Sequence, residues 1–138
     1  MPMFKATRSE RRIVLVPFLA AMLILGGLWG RARADDAEKW KEPSRLYDTY
    51  CAQCHGMGRN GKGINARSMA VQPRDHADAK GMGAIPDAEI IKAITDGGLS
   101  VNKSVLMPAW GKVLSRQQIL DLAAYLRHVC NCGTASAR

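Results

Sequence analysis

This chain has little with which to fill a core. Its 138 residues include only two Phe, three Trp and three Tyr. A small domain buries a modest share of its surface and commonly relies on a metal, a crosslink or a cofactor as a staple. Alternation of apolar and polar residues over strand lengths is also missing, so a sheet-based fold is not expected. That absence removes the βαβ setting of a thioredoxin-like dithiol. No second Cys/His pair stands at zinc-binding spacing, which counts against a structural zinc site. The glycine-rich run at 56–63 has no strand before it and no G-K-S/T ending, so it is not a P-loop. Internal repeats and low-complexity tracts are absent.

Against these absences stands Cys51-Ala52-Gln53-Cys54-His55. C-x-x-C-H is the signature of covalent c-type haem attachment. Two thiols three positions apart lie about one helical turn apart, so both can add to the two vinyl groups of one haem. The adjacent imidazole then reaches the iron from the same side. The motif occurs once. One haem c is therefore expected, attached through Cys51 and Cys54, with His55 as an axial ligand of its iron. The same group would supply the apolar filler that the side chains do not.

Residues 1–34 differ from the rest. Lys5, Arg8, Arg11 and Arg12 form a basic start, an uncharged apolar stretch covers 13–30, and Ala32-Arg33-Ala34 follows. That is the layout of a secretory signal peptide, with Asp35 as the mature N-terminus. Its 18 apolar residues also sit at the lower edge of what spans a bilayer, so an uncleaved anchor is the competing reading. Glycines at 26, 27 and 30 and the A-x-A site favour cleavage. Either way the remainder faces the periplasm, free or tethered. Arg11-Arg12 reads as n-region charge, not a twin-arginine signal, because a c-type haem is attached after export.

Six Lys/Arg against one Glu give this segment +5, whereas 14 Lys/Arg against 11 Asp/Glu leave residues 35–138 at +3. No basic block remains there, so nucleic acid is not an implied partner. A mild positive excess suits acidic protein surfaces instead. The expected organisation is a leader at 1–34, one haem domain at 35–132 and a tail at 133–138.

Helical periodicity recurs through that domain. Ser44 suits the cap of a helix over 45–54, with Leu46, Tyr50 and Cys54 on one side and Tyr47 and Cys51 adjacent. The glycines that follow are expected to let the backbone pass close to the haem edge. Residues 64–85 read as loop. A second helix spans Asp87–Asp96, with Pro86 at its start, Asp87 and Glu89 complementing the dipole, and Gly97-Gly98 ending it. Ile90, Ile91 and Ile94 form its apolar face. The last helix opens with a capping box (Ser115, Gln118) and a staple (Leu114, Ile119). Ile119, Leu122, Ala123 and Leu126 make its stripe, widened by Tyr125 and Val129.

The other axial position decides what an iron so held can do. A thioether there raises the reduction potential and closes the site, as an electron carrier needs. Met57 lies too close to His55 to reach the opposite face. Met69 and Met82 can reach it, although a methionine in a small core is usually filler. Met107 stands out because Pro108 fixes the backbone after it, in a loop more than fifty residues beyond His55. His76 lies in a polar turn and is expected to be solvated. His128 is expected to complement the dipole at the end of the last helix.

From about 43 to 129 the chain resembles the class I c-type cytochromes, above all the small bacterial monohaem group. The resemblance rests on Leu46-Tyr47 before the Cys51 motif and Gly56, on Pro73-Arg74-Asp75, and on Ile94 through Gly98. Met107-Pro108-Ala109-Trp110 and Asp121-Leu122-Ala123-Ala124-Tyr125-Leu126 complete it. It implies an all-α, cytochrome c-like fold, its helices wrapped around one covalent haem and the first and last packed across each other. It implies His55 and Met107 as axial ligands, and Tyr125 as a packing residue beside the haem.

The implied activity is one-electron transfer without catalysis, from a donor dehydrogenase or quinol-oxidising complex to an acceptor oxidase or reductase. The alternatives are a haem-c subunit of a larger membrane oxidoreductase, or a peroxidase or gas sensor with an open sixth position and His76 on its distal side. Lys62, Lys80, Lys103 and Lys112 are candidates to ring the haem edge, against a default of solvated surface charge. Cys130-Asn131-Cys132 departs from the family pattern. Pairing with each other, pairing with a partner chain and metal binding all stay open for these two cysteines.

Overall fold

The computed structural model describes residues 37–133. The chain divides into two units, Met1–Lys39 and Trp40–Arg138. Of the first, only residues 37–39 are described, and they are helical. The expected leader at 1–34 and the tail from 134 onward lie outside the described residues. Among those described, no strand occurs, and no helix is long and apolar enough to cross a membrane.

Among the described residues, five helices carry the fold: α1 over 37–50, α2 Ala52–His55, α3 Ala79–Gly83, α4 Asp87–Asp96 and α5 Arg116–Cys130. Two 3-10 turns, Ala66–Ser68 and Gly98–Val101, lie between them.

The first helix starts earlier than its cap signal suggested. Pro43 lacks an amide donor and so removes one bond of the ladder, yet α1 runs through it and through Ser44. Ser44 is therefore not a cap. Its hydroxyl accepts from the Arg59 guanidinium at 3.1 Å and from the Tyr125 phenol at 3.3 Å. Pro43, Leu46 and Tyr47 are buried in this helix, the last two at 3% and 1% exposure.

The second predicted helix is found as read, with Pro86 at the N-cap and Gly97 at φ +84° ending it. Ile90 and Ile94 are buried, whereas Ile91 lies at the margin of the core. Residues 64–85 are less irregular than expected. The short α3 forms there although Gly81 and Gly83 are poor helix residues. Asp78 caps it, accepting from the Lys80 amide, and Met82 is buried at 1% exposure.

The last helix keeps the capping box and the buried stripe its sequence announced. Ser115 Oγ accepts from the Gln118 amide at 3.2 Å, and Gln118 Oε1 accepts from the Ser115 amide at 2.9 Å. Ile119, Leu122, Ala123, Tyr125 and Leu126 are all buried. Each of the three larger aliphatic side chains contributes roughly 1.5–3 kcal/mol by leaving water. Helices α1 and α5 meet through aromatic rings. Tyr47 and Tyr125 lie edge to face at 5.9 Å, and Trp40 stacks on His128 at 4.6 Å. Cys130 and Cys132 are joined to each other by a disulfide at the end of α5.

Arg127, passed over in the sequence, ties α5 to the elements before it. Its guanidinium donates to Asp87 at 2.7 Å, to the Met82 carbonyl at 2.6 Å, and to the Ile85 carbonyl.

Candidate functional site

Helices α1 to α5 and the loops at 69–78 and 101–110 line a cavity of about 440 Å³. That is within the range of small-molecule and cofactor sites, roughly 300–1,000 Å³. Cys51, Cys54, His55 and Met107 all line it. The four residues singled out in the sequence are thus brought to one place across more than fifty residues of chain.

The turn at Cys51 and α2 present the two thiols and the imidazole together. Both cysteines are free and half-buried. Burial, with lesser contributions from Cys54 and Asp48, pushes the Cys51 thiol up to about 12. A redox dithiol has the opposite property, a depressed thiol pKa. Among the described residues, no group of three or more His, Cys, Asp or Glu is placed to hold a bare metal ion.

His55 is oriented by its own backbone surroundings. Its Nδ1–H donates to the Arg74 carbonyl at 3.0 Å. A carbonyl only accepts, so Nδ1 carries the proton and Nε2 keeps its lone pair. Burial lowers the His55 pKa, opposed in part by this same hydrogen bond, and favours the neutral ring that binds metal.

The glycines after His55 make close approaches to the chain itself. A Cβ on Gly63 would come within 2.3 Å of the Gln53 carbonyl and 2.6 Å of Cys54. A Cβ on Gly61 would lie 2.5 Å from the Pro73 carbonyl. These residues let the loop press on the backbone of α2 and of the segment that supplies the Arg74 carbonyl. They position His55; their close neighbours are backbone atoms of this chain.

Three methionines line the cavity: Met69, Met82 and Met107. Met57 does not, and is exposed. Met82 is locked in the core, whereas Met107 is half-buried and its loop is seated on the end of α4. The Gly98 amide donates to the Met107 carbonyl at 3.0 Å, and the Trp110 amide donates to the Ile94 carbonyl at 3.0 Å. A Cβ on Gly98 would lie 2.4 Å from the Ser104 carbonyl and 3.0 Å from Met107 Cβ. The Gly97-Gly98 pair therefore both stops α4 and leaves room for the loop that carries Met107. Of the four lysines named above, all exposed, only Lys103 lines the cavity.

His76 is half-buried and held by its neighbours, not free in solvent. Its ring stacks on His55 with centroids 4.2 Å apart, and its Nδ1 shares a 3.0 Å hydrogen bond with the Tyr47 phenol. Burial first, then the neighbouring His55 and Arg74, hold it well below the ordinary histidine range. Nothing in the spacing of the sequence announced this contact, because it is made by a loop folding back across α1.

The family described as "Cytochrome C oxidase, cbb3-type, subunit III" matches residues 38–126. The chain is a class I monohaem c-type cytochrome. It is 31% identical over 116 residues to a cytochrome c6 of Rippkaea orientalis (strain PCC 8801 / RF-1), covering 84% of this chain and 91% of that one. Among solved structures, the KustC0563 c-type cytochrome superposes with a TM-score of 0.51 at 23% identity, over 62% of this chain and 94% of the other. A chain of the Kuenenia stuttgartiensis reducing HAO-like protein complex Kustc0457/Kustc0458 gives 0.50 at 27% identity, over 64% and 41%. The fold is the all-α cytochrome c fold that the sequence implied. Membership implies a covalently bound haem c and electron transfer, and Cys51 and Cys54 stand in the spacing such attachment uses.

Proposed function

We propose that this cytochrome is a one-electron carrier of an extracytoplasmic chain, with its haem held by Cys51 and Cys54 and its iron by His55 and Met107. The observation that carries the proposal is the meeting of these four side chains on one cavity, with the His55 tautomer already committed. A nitrogen and a thioether sulfur, with two thiols on the same wall, are the donor set of a low-spin haem c. The bound group supplies the ferrous–ferric couple. The chain anchors it through two sulfurs, presents the lone pair of His55 Nε2, offers the Met107 thioether and excludes water with Tyr50, Ile94 and Leu126. No substrate bond is made or broken.

The peroxidase or sensor reading loses support from His76. Stacked against His55 and bonded to Tyr47, its ring is engaged with the proximal ligand and is not free to act as a distal acid–base group. A place as one subunit of a larger oxidoreductase draws support from the family description and from the multi-subunit complex among the structural neighbours. In either setting the partners are redox proteins, a dehydrogenase or quinol-oxidising complex as donor and an oxidase or reductase as acceptor.

Expressed with a haem-maturation system, the protein should keep its haem through acid–acetone extraction and full denaturation, because two thioethers hold it. Clean extraction would overturn the attachment. The haem domain proposed at 35–132 also has a simple chemical check. Mass spectrometry of periplasmic protein should find Asp35 at the N-terminus, and recovery of residues 13–30 in the membrane fraction would replace cleavage with an anchor.

A further inference from the structure

Residues 73–76 hold His55 from two directions. Arg74 gives its carbonyl to Nδ1–H at 3.0 Å. Two residues on, the His76 ring lies over the His55 ring, with planes 16° apart and centroids 4.2 Å apart. His76 is fixed in turn. Tyr47, almost wholly buried, bonds its Nδ1 at 3.0 Å and meets its ring edge-on at 5.8 Å. The His76 amide donates to the Arg59 carbonyl at 2.7 Å. Arg59 itself is anchored across the α1–α5 contact, donating to Asp48 at 2.7 Å and to the Tyr125 phenol at 2.9 Å.

The two restraints on His55 differ in kind. A hydrogen bond at one ring nitrogen limits how the ring tilts but leaves it able to pivot about the line of that bond. A flat ring laid on its face removes the pivot. The direction of an imidazole plane matters to a bound metal, because its π orbitals overlap the metal d orbitals along one in-plane direction only. Outer groups that orient a ligand are a general means of tuning a metal site.

We propose that His76 is a positioning residue which, stacked face to face on His55, sets the plane of His55 about the axis on which Nε2 would bind iron. The proposal rests on the reading of His55 as an axial ligand. It assigns to His76 a stacking role that any flat ring of similar size would fill, and that an aliphatic side chain would not.

The test uses the haem-loaded protein with His76→Ala, His76→Leu and His76→Phe. Proton NMR of the ferric protein resolves the four haem methyl resonances, whose order and spread report the axial ligand plane. Ferric electron paramagnetic resonance reads the same anisotropy. Optical spectra should stay low-spin in all three variants. His76→Ala and His76→Leu should reorder the methyl resonances, and His76→Phe should keep the wild-type order. Should the alanine variant fail to fold, the leucine variant preserves volume without a ring. Wild-type methyl order in His76→Leu, or an equal shift in His76→Phe, would overturn the role of His76. A wild type that is high-spin, with no such resonances, would instead overturn the ligation by His55 on which the proposal stands.

Discussion

Replacing Met107 by alanine should leave the haem attached and open the iron to external ligands. The thioether is one of two axial donors in the proposed site and has no covalent part in retention, which depends on Cys51 and Cys54. Its loss removes the soft donor that favours ferrous iron. Axial ligands set haem potentials over a range of roughly 0.8 V, so a fall on the order of 100 mV or more is expected. The reduced variant should bind carbon monoxide rapidly where the wild type does not. The weak far-red sulfur-to-iron band of the ferric wild type should vanish.

The competing donors make the comparison decisive. Met69 and Met82 line the same cavity, and a band that survives Met107→Ala but is lost in Met82→Ala would reassign the ligand. Met82→Ala should instead act as a core truncation, since the side chain is 1% exposed. Its expected effect is a loss of about 2–5 kcal/mol of stability with the band retained. Gly98→Ala offers a second route to the Met107 loop. The added methyl would meet the Ser104 carbonyl at 2.4 Å, so the loop must shift and the band should weaken although no ligand has been altered.

Much of this was legible in the residues because it was local. The capping box at Ser115, the apolar stripe of α5 and the limits of α4 are contained within a few turns of chain. The C-x-x-C-H motif is local too, and Met107 could be picked out by the proline after it. What escaped is the part made by distant segments meeting. Ser44 looked like a cap because hydroxyl residues favour caps. It became a mid-helix acceptor because Arg59 and Tyr125 approach it from elsewhere. His76 looked solvated among Asp75, Ala77 and Asp78, and its burial depends on Tyr47, 29 positions earlier. The glycines at 61 and 63 announced a close approach without revealing its partner. The short α3 had no periodicity to read, being five residues long with two glycines.

Arg127 is the clearest case of a residue whose weight appears only in three dimensions, and removing it should be the most damaging change away from the cavity. Its side chain is 10% exposed and serves Asp87, the Met82 carbonyl and the Ile85 carbonyl together. Asp87 is 41% exposed, so much of that ion pair is screened by water and contributes little. The carbonyls matter more. Hydrogen bonds from a charged donor contribute about 1.5–3 kcal/mol each, and leaving both acceptors unpaired adds a desolvation penalty. Arg127→Ala should therefore cost about 3–5 kcal/mol, against a typical total of about 5–15. For a domain of this size that corresponds to a fall in Tm of at least about 12 °C. Asp87→Asn should cost no more than about 1 kcal/mol, because it removes only the exposed partner. Arg127→Lys should recover less than half of the loss, since one ammonium cannot span acceptors that the planar fork reaches at once. Guanidinium unfolding of the haem-loaded variants would measure all three. An Arg127→Ala protein within 1 kcal/mol of wild type, or an Asp87→Asn protein equally damaged, would contradict this account. The consequence should extend to the site. Met82 lines the cavity and its carbonyl is tied to Arg127, so loosening α3 should broaden the spectrum of the bound group before the fold itself is lost.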